Sequence, residues 1–396
     1  MGRDQLLQEI RELERRMIAD RRFLHQYPEL SHQEYQTTRF IKERLVEFGI
    51  RLEPLETETG ASALIQGGKP GKTVCIRHDI DALPIKEETE LSFQSEVDGV
   101  SHACGHDIHT VIALYCGKLL NERKEELAGN VRIVFQPAEE TGEGARKMME
   151  AGFQKLTPAN DIVVGLHVHP ETSVGRISLR EGAMEAGADY LRIRIRGKGC
   201  HGAHPYQGVD PILTAAFLMT ELQSVVTRMN PAVKPAILTF GSIHGGKACN
   251  VIPDEVELLG TLRVFHLECR ETNLQAIRRI TDQVCASMGA EGAVELLGGM
   301  PPLYNDREVT AGIIKAAEEI LGEGNVEFLE FPSPGSDDFS VFLEETRGAQ
   351  FFLGTGGRAK ETRIGVHSGR NVFEEKSIAV GAAVLVQYVM DTLGSC

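Results

Sequence analysis

The chain has 396 residues, 42% hydrophobic and 25% charged, with a formal net charge of −15. That length exceeds one ordinary core, so two domains are expected, and the composition is that of a soluble globular protein. An acidic surface repels phosphate backbones, which excludes nucleic acid and anionic membrane as expected partners but leaves an anionic ligand in a pocket open.

The first residues carry Arg3, Asp4, Glu9, Arg11, Glu12, Glu14 and Arg15 and lack the apolar centre of a secretory signal. Leu6, Ile10, Leu13, Met17 and Leu24 recur at helical spacing and predict a helix over residues 4–26. A second is expected over 32–48, with Ser31 and Glu34 spaced as a capping box. Helix and strand patterns then alternate. Thr73–Arg77 reads as a short strand that ends at Asp79 and Asp81. A helix is expected from about His109 to Leu120. Val131–Phe135 runs through a Gln-Pro turn into Glu139 and Glu140, and Ile162–Leu166 ends at His167. Three strands thus deliver polar groups at their carboxyl ends, where open α/β sheets bind ligands.

Near residue 187 the pattern changes. Tyr190–Arg196 alternates apolar and cationic residues, the mark of a half-buried strand. Strands at about 236–243, 255–265 and 293–297, with helices at about 210–227 and 269–287, complete a β-α-β-β-α-β order. That order fits a two-layer domain with its helices on one face of an antiparallel sheet. After Gly298-Gly299-Met300-Pro301-Pro302 the earlier alternation resumes, and His367 lies there. The expected division is a catalytic domain of residues 1–186 and 298–396 interrupted by an inserted domain of 187–297. The longest apolar run, Ile378–Val386, is shorter than the ~18–20 residues of a membrane span, so no membrane partner and a cytoplasmic location are expected. In a reducing compartment the eight cysteines (75, 104, 116, 200, 249, 269, 285 and 396) are expected to be free thiols. All but Cys104 read as small buried hydrophobes.

Cys104 stands apart because His102-Ala103-Cys104-Gly105-His106-Asp107-Ile108-His109 packs a thiol and three imidazoles into one stretch. Thiolate, neutral imidazole and carboxylate are the side chains that hold zinc and its first-row neighbours. Each segment has a bland reading: a Cys-x-His pair is often incidental, and Glu139-Glu140 alone is usually a solvated helix start. His167 reads equally as a satisfied core histidine, His169 as structural, and His367 as a loop residue. Jointly, with adjacent carboxylates after a buried strand, they point to a metal-dependent hydrolase with two metal ions. In such an enzyme a carboxylate that is not a ligand carries the proton.

Several motifs in order widen that reading: Arg77-His78-Asp79-Ile80-Asp81-Ala82-Leu83-Pro84, Cys104-Gly105-His106-Asp107, Gln136-Pro137-Ala138-Glu139-Glu140, Gly165-Leu166-His167, Asn250-Val251-Ile252-Pro253, Gly335-Ser336-Asp337-Asp338-Phe339 and Val366-His367-Ser368. Together they resemble the dinuclear-metal amidohydrolases that include aminoacylases, hippurate hydrolases, N-acetyldiaminopimelate deacetylases and hydrolases of indole-acetyl amino acid conjugates. The resemblance implies an α/β, zinc-peptidase-like catalytic domain, a mixed sheet flanked by helices, with an inserted α+β lid and dimerisation domain. It implies Cys104, His106, Glu140, His167 and His367 as ligands of two divalent ions per subunit (zinc, manganese or cobalt). Glu139 becomes the general base, and Asp81 orients a ligand or tunes a metal. His201 would stabilise the oxyanion, in this family usually in the partner subunit's site, and Asn250 would contact the substrate's carboxylate end. The implied substrate is an N-acyl amino acid or peptide-like amide, and the implied assembly a homodimer or dimer-based tetramer. The alternatives are a dipeptidase or carboxypeptidase with the same metal centre, and a catalytically silent ligand-binding relative, which would not need Glu139 beside Glu140. His78, His204 and Tyr206 depart from the usual pattern and put inherited substrate specificity in doubt.

Overall fold

A computed structural model describes residues 2–394; Cys396, expected to be a buried thiol, lies outside the described residues. The chain opens with helices α1 (Arg3–Gln26) and α2 (Tyr35–Glu47) and strands β1 (Arg51–Glu53), β2 (Ala61–Gln66) and β3 (Lys69–Asp79). Next come α3 (His106–Asn121), β4 (Ala128–Gln136), α4 (Gly144–Glu150), β5 (Ile162–Ser173), β6 (Ile177–Leu179) and β7 (Gly182–Glu185). The middle segment holds β8 (Gly187–Arg196), β9 (Cys200–His201), α5 (Pro211–Ser224), β10 (Ala236–Gly245), β11 (Val251–Ile252), β12 (Glu255–Val264), α6 (Leu267–Ser287) and β13 (Glu291–Met300). The last stretch carries β14 (Leu303–Asn305), α7 (Arg307–Leu321), β15 (Val326–Phe328), α8 (Phe339–Phe342), β16 (Gly348–Gly356) and α9 (Ser377–Leu393). The chain divides into two compact units, one of Met1–Gly182, Tyr304–Phe331 and Asp338–Cys396, the other of Ala183–Leu303 and Pro332–Asp337.

The first unit is built on an eight-stranded mixed sheet in the order β1-β2-β4-β3-β5-β16-β6-β15. β4, β3, β5 and β16 are mutually parallel. β3 earns its place through Thr73, Val74 and Ile76, β-branched residues that suit a buried pleat. Helices α1, α3, α7 and α9 pack together over the sheet, and their apolar residues join Val74, Ile76, Ile133 and Val164 in one core. The apolar run 378–386 lies in α9, whose residues 381–390 are all buried, and no helix among the described residues is long and apolar enough to cross a membrane. Because the three parallel strands β4, β3 and β5 are neighbours, their carboxyl ends share one edge of the sheet.

The second unit is a four-stranded antiparallel sheet, β10-β12-β8-β13, with α5 and α6 packed on it and on each other. Leu191, Ile193 and Ile195 from β8 face those helices within a separate core. The intervening Arg192 and Arg194 pair with Glu257 on the other face. This is the α+β two-layer arrangement expected from the alternation.

Four local expectations change. Helix α3 begins at His106 rather than His109, because Gly105, at φ +76°, supplies the left-handed turn that starts it. β5 runs on through His167 to Ser173, since β16 keeps pairing past that point. Ser31 does not cap α2: its hydroxyl donates to Asp81 Oδ2 (2.7 Å), and Glu29 accepts from the amides of Gln36 and Thr37 instead. Cys75, Cys116, Cys269 and Cys285 are buried as expected, but Cys200 is half-buried and Cys249 is exposed in the loop between β10 and β11.

Candidate metal centre

The turn before helix α3 (Cys104), α3 itself (His106), the turn after β4 (Glu140), strand β5 (His167) and the loop before α9 (His367) carry the five residues expected to hold metal. Donor atoms of Cys104, His106 and His167 lie within 4.8 Å of one another, as do those of Cys104, Glu140 and His367, and of His106, Glu139 and Glu140. The first two groups share the Cys104 sulfur. His167 Nδ1 donates to the Val168 carbonyl (2.8 Å), which leaves Nε2 facing Cys104 Sγ at 3.4 Å. His367 Nε2 lies 3.2 Å from Glu140 Oε2. His106 Nε2 and Glu140 Oε1 face each other at 3.8 Å, and both are buried without a hydrogen-bond partner among the described residues. Buried polar atoms left unpaired cost free energy unless something else satisfies them.

The electrostatics match. Burial, then Glu140, Glu139 and Asp79, push the Cys104 thiol well above its ordinary range. Burial lowers the His106 value, but Asp79, Asp81 and Glu140 outweigh it and bring the imidazolium up to about 10. The hydrogen bond to Glu140 raises His367. Such a cluster holds protons where a divalent cation would displace them. The donor set of thiolate, imidazole and carboxylate fits zinc or its neighbours.

Asp81 steers two of these donors at once. Its Oδ1 lies 3.2 Å from His106 Nδ1, while Oδ2 accepts the Glu140 amide N–H at 3.1 Å. Burial pushes its carboxyl up, and the His106 hydrogen bond and charge more than reverse that. A carboxylate behind a ligating imidazole fixes which nitrogen carries the proton. Glu139 is 8% exposed, and its Oε1 accepts the Asp338 N–H at 3.4 Å. The turn that presents both glutamates passes through Ala138 at φ +54°, and His367 sits at φ +61°. Left-handed backbone at residues with a Cβ marks sites where surrounding contacts impose the shape.

Beneath the centre lies a charge network that sequence reasoning did not place. The buried Arg77 fork donates to Gln136 Oε1 (2.7 Å), Asp79 Oδ2 (3.0 Å) and Asp338 Oδ1 (2.7 Å). Asp79 Oδ1 takes the His109 Nδ1 proton at 2.5 Å, and His109 Nε2 accepts the Val168 N–H at 2.9 Å. Both nitrogens of His109 are thus engaged, so this histidine, which strengthened the metal reading, braces β5 against α3. His102 is buried with neither nitrogen hydrogen-bonded among the described residues, and burial pushes it down to about 4; nothing in the structure explains its presence. The signal for Asp79 was available in its position at the end of a buried strand; Arg77 gave none.

In the second unit, β9 pairs with β11, with Val251 opposite His201, and the Gly202 N–H donates to the Asn250 carbonyl at 2.8 Å. One short ribbon therefore carries both His201 and Asn250, and both are exposed. The Ala203 N–H donates to His201 Nδ1 (3.0 Å), which places the ring proton of the neutral imidazole on Nε2.

The chain is similar to known proteins in sequence and fold. The profile described as Peptidase family M20/M25/M40 matches residues 75–391. N-acetyl-L-cysteine deacetylase of Bacillus subtilis is 42% identical over 346 residues, covering 87% of this chain and 82% of its own. The crystal structure of a putative aminohydrolase from methicillin-resistant Staphylococcus aureus superposes with a TM-score of 0.94 at 35% identity, covering 99% of this chain and 100% of that one. A dinuclear metal-binding peptidase of the M20 family from B. subtilis superposes at 0.84 and 34% identity, covering 97% and 99%.

Proposed function

The chain belongs to peptidase family M20/M25/M40, and on that premise we propose that it hydrolyses the amide bond of N-acyl amino acids, releasing a carboxylic acid and a free amino acid. The observation that carries the reading is the Glu139-Glu140 pair on a left-handed turn, with Glu140 Oε1 and His106 Nε2 buried face to face and without a hydrogen-bond partner among the described residues. Cys104, His106, Glu140, His167 and His367 would hold two divalent cations. Bound there, the cations supply Lewis acidity toward the scissile carbonyl and acidify water. Glu139 takes the proton of the attacking water and returns it to the departing amine. Asp81 keeps His106 and Glu140 aimed. His201, with its proton on Nε2, donates to the developing oxyanion, and Asn250 on the same ribbon meets the substrate's carboxylate end. The similarity to an N-acetyl-L-cysteine deacetylase supports this substrate class.

The test is a panel of N-acetyl and N-benzoyl amino acids and dipeptides, assayed after chelation and after loading with Mn²⁺, Co²⁺ or Zn²⁺. N-acyl amino acids are expected to turn over only in loaded protein. Turnover of dipeptides alone would make the chain a dipeptidase, and no turnover with metal bound would leave ligand capture.

Cys104 as a ligand predicts a second result. Its sulfur is shielded from alkylation in loaded protein at every pH, and after chelation it reacts as the pH is raised toward the elevated range of the metal-free thiol, while exposed Cys249 labels equally in both. Equal labelling of Cys104 in the two states, read by peptide mass, would remove it from the ligand set.

For His201→Ala, metal stoichiometry is expected to hold while kcat falls by about 10²–10³, the cost of one oxyanion donor. We place two copies together through the second unit. There α5 exposes Ile212, Leu213 and Phe217, and β10 is an edge strand, an unpaired edge being a ready template for another chain. Mixing Glu139→Gln with His201→Ala subunits then restores activity if His201 serves its partner. Verified subunit exchange without recovery would leave it acting within its own subunit.

A further inference from the structure

Glu34 lies far in sequence from every candidate ligand, yet its side chain reaches the turn that presents two catalytic carboxylates. It is the N-cap residue of α2, where an acidic side chain ordinarily bonds back to its own helix. It makes no such bond. Glu29 accepts the amides of Gln36 and Thr37 instead, at 3.1 and 2.8 Å. Glu34 is left to reach across the fold, where its Oε1 accepts the Ala138 N–H at 2.8 Å. Its residue is 0% exposed, and burial raises its carboxyl above the ordinary range. A buried carboxylate that reaches the backbone amide of a distant segment, with the Thr59 side chain as a second partner, is a costly way to decorate a loop. The amide it holds is the notable one. Ala138 adopts φ +54°, a conformation that residues with a Cβ avoid unless the surroundings impose it.

The rest of the turn is held from within, from behind and by the Asp338 N–H, which meets Glu139 Oε1 at 3.4 Å. The Gly142 N–H donates to the Glu139 carbonyl (2.7 Å), and the Gly144 N–H to the Ala138 carbonyl (3.1 Å). Asp81 holds the Glu140 amide. Glu34 holds the entry to the turn, one residue before Glu139 and two before Glu140.

We propose that Glu34 is a positioning residue: by accepting the Ala138 N–H it imposes the left-handed turn that sets the Glu139 carboxylate and Glu140 in register over the metal centre. It rests on the reading that Glu140 binds metal and Glu139 moves the proton. Its requirement is an acceptor at that place rather than a charge. Glu34→Gln keeps a carbonyl oxygen and Glu34→Leu removes it at similar size. Ala138→Gly makes the left-handed conformation intrinsic to the backbone and so lessens the need for the clamp.

The experiment reads Co²⁺ affinity and its visible absorption, kcat and KM on an N-acyl amino acid, and the melting temperature of metal-free protein, for the wild type, Glu34→Gln, Glu34→Leu and Glu34→Leu/Ala138→Gly. Glu34→Leu is expected to lose about 10–100-fold in kcat or Co²⁺ affinity, the usual cost of removing a group that orients ligands, with KM little changed. Glu34→Gln is expected within about threefold of wild type, and the double variant to recover most of the loss, even where melting temperature does not recover. Three results would overturn the assignment: wild-type behaviour of Glu34→Leu, equal losses in the Gln and Leu variants, or no recovery on adding glycine at 138. Should the wild type bind Co²⁺ but hydrolyse none of the amides, the substrate reading fails, and the Co²⁺ affinity and spectrum still decide the role of Glu34.

Discussion

Glu139→Gln is expected to keep its metal stoichiometry and lose about 10²–10⁴-fold in kcat, the range in which a positioned acid–base group contributes. The amide is nearly the shape of the carboxylate and still accepts from the Asp338 N–H, which lies 3.4 Å from Oε1. The turn and the neighbouring Glu140 are therefore undisturbed, while a group able to receive a proton is gone. The loss belongs to kcat rather than KM, because the proton moves only as the amide bond is attacked and broken. Glu140→Gln is the control. It weakens a donor whose Oε1 faces His106 Nε2 at 3.8 Å, so metal content itself should fall. Metal analysis beside steady-state kinetics separates the two. Near-wild-type turnover by metal-replete Glu139→Gln would take the proton-carrying role away from this residue.

What could be read in the sequence was local. The alternation of apolar and polar residues in β8, the helical stripe of α1 and the strands β3, β4 and β5 follow from periodicity, which burial on one face or two imposes directly. The adjacency of Cys104 and His106 before a helix, and of Glu139 and Glu140 after a strand, was equally visible. The sheet order was not. That β3 lies between β4 and β5 is decided by pairing across long separations, and this adjacency gathers the strand ends into one edge.

The roles of individual polar residues were the least legible. His109 stood in the same cluster as His106 and differs from it only in partners: Asp79, 30 residues upstream, and the Val168 amide, 59 downstream, use both its nitrogens. Ser31 had the spacing of a helix cap and is drawn off by Asp81, because a charged acceptor forms the stronger hydrogen bond. Glu34, its supposed capping partner, is spent on Ala138. In each case local spacing offers one partner and the folded chain presents a better one.

Arg77 gives the second large effect, on stability rather than turnover. Its guanidinium is 1% exposed and lies between Asp79 and Asp338, each side chain 0% exposed. Arg77→Met removes the fork and leaves two buried carboxylates with fewer donors. Taking one partner from a buried ion pair costs about 3–5 kcal/mol, most of it the penalty of the charge left behind. For a unit of this size that corresponds to a melting temperature lower by roughly 6–15 °C. Arg77→Lys keeps the charge but loses the planar fork that serves Gln136, Asp79 and Asp338 together, so an intermediate loss is expected. The source of the penalty can be isolated. Asp338→Asn removes one buried charge and keeps one oxygen, for either the Gln136 amide (2.7 Å to Oδ1) or the Ala145 N–H (2.9 Å to Oδ2), and losing one such bond costs less than leaving a buried charge unpaired. Arg77→Met/Asp338→Asn should therefore melt above Arg77→Met, although it carries one more substitution. Circular dichroism melts of the metal-free proteins decide the matter. A single Arg77→Met variant within 2 °C of wild type, or a double variant melting below it, would mean that packing around Phe339, over which the guanidinium lies at 5.6 Å, and not charge pairing, holds this floor of the site.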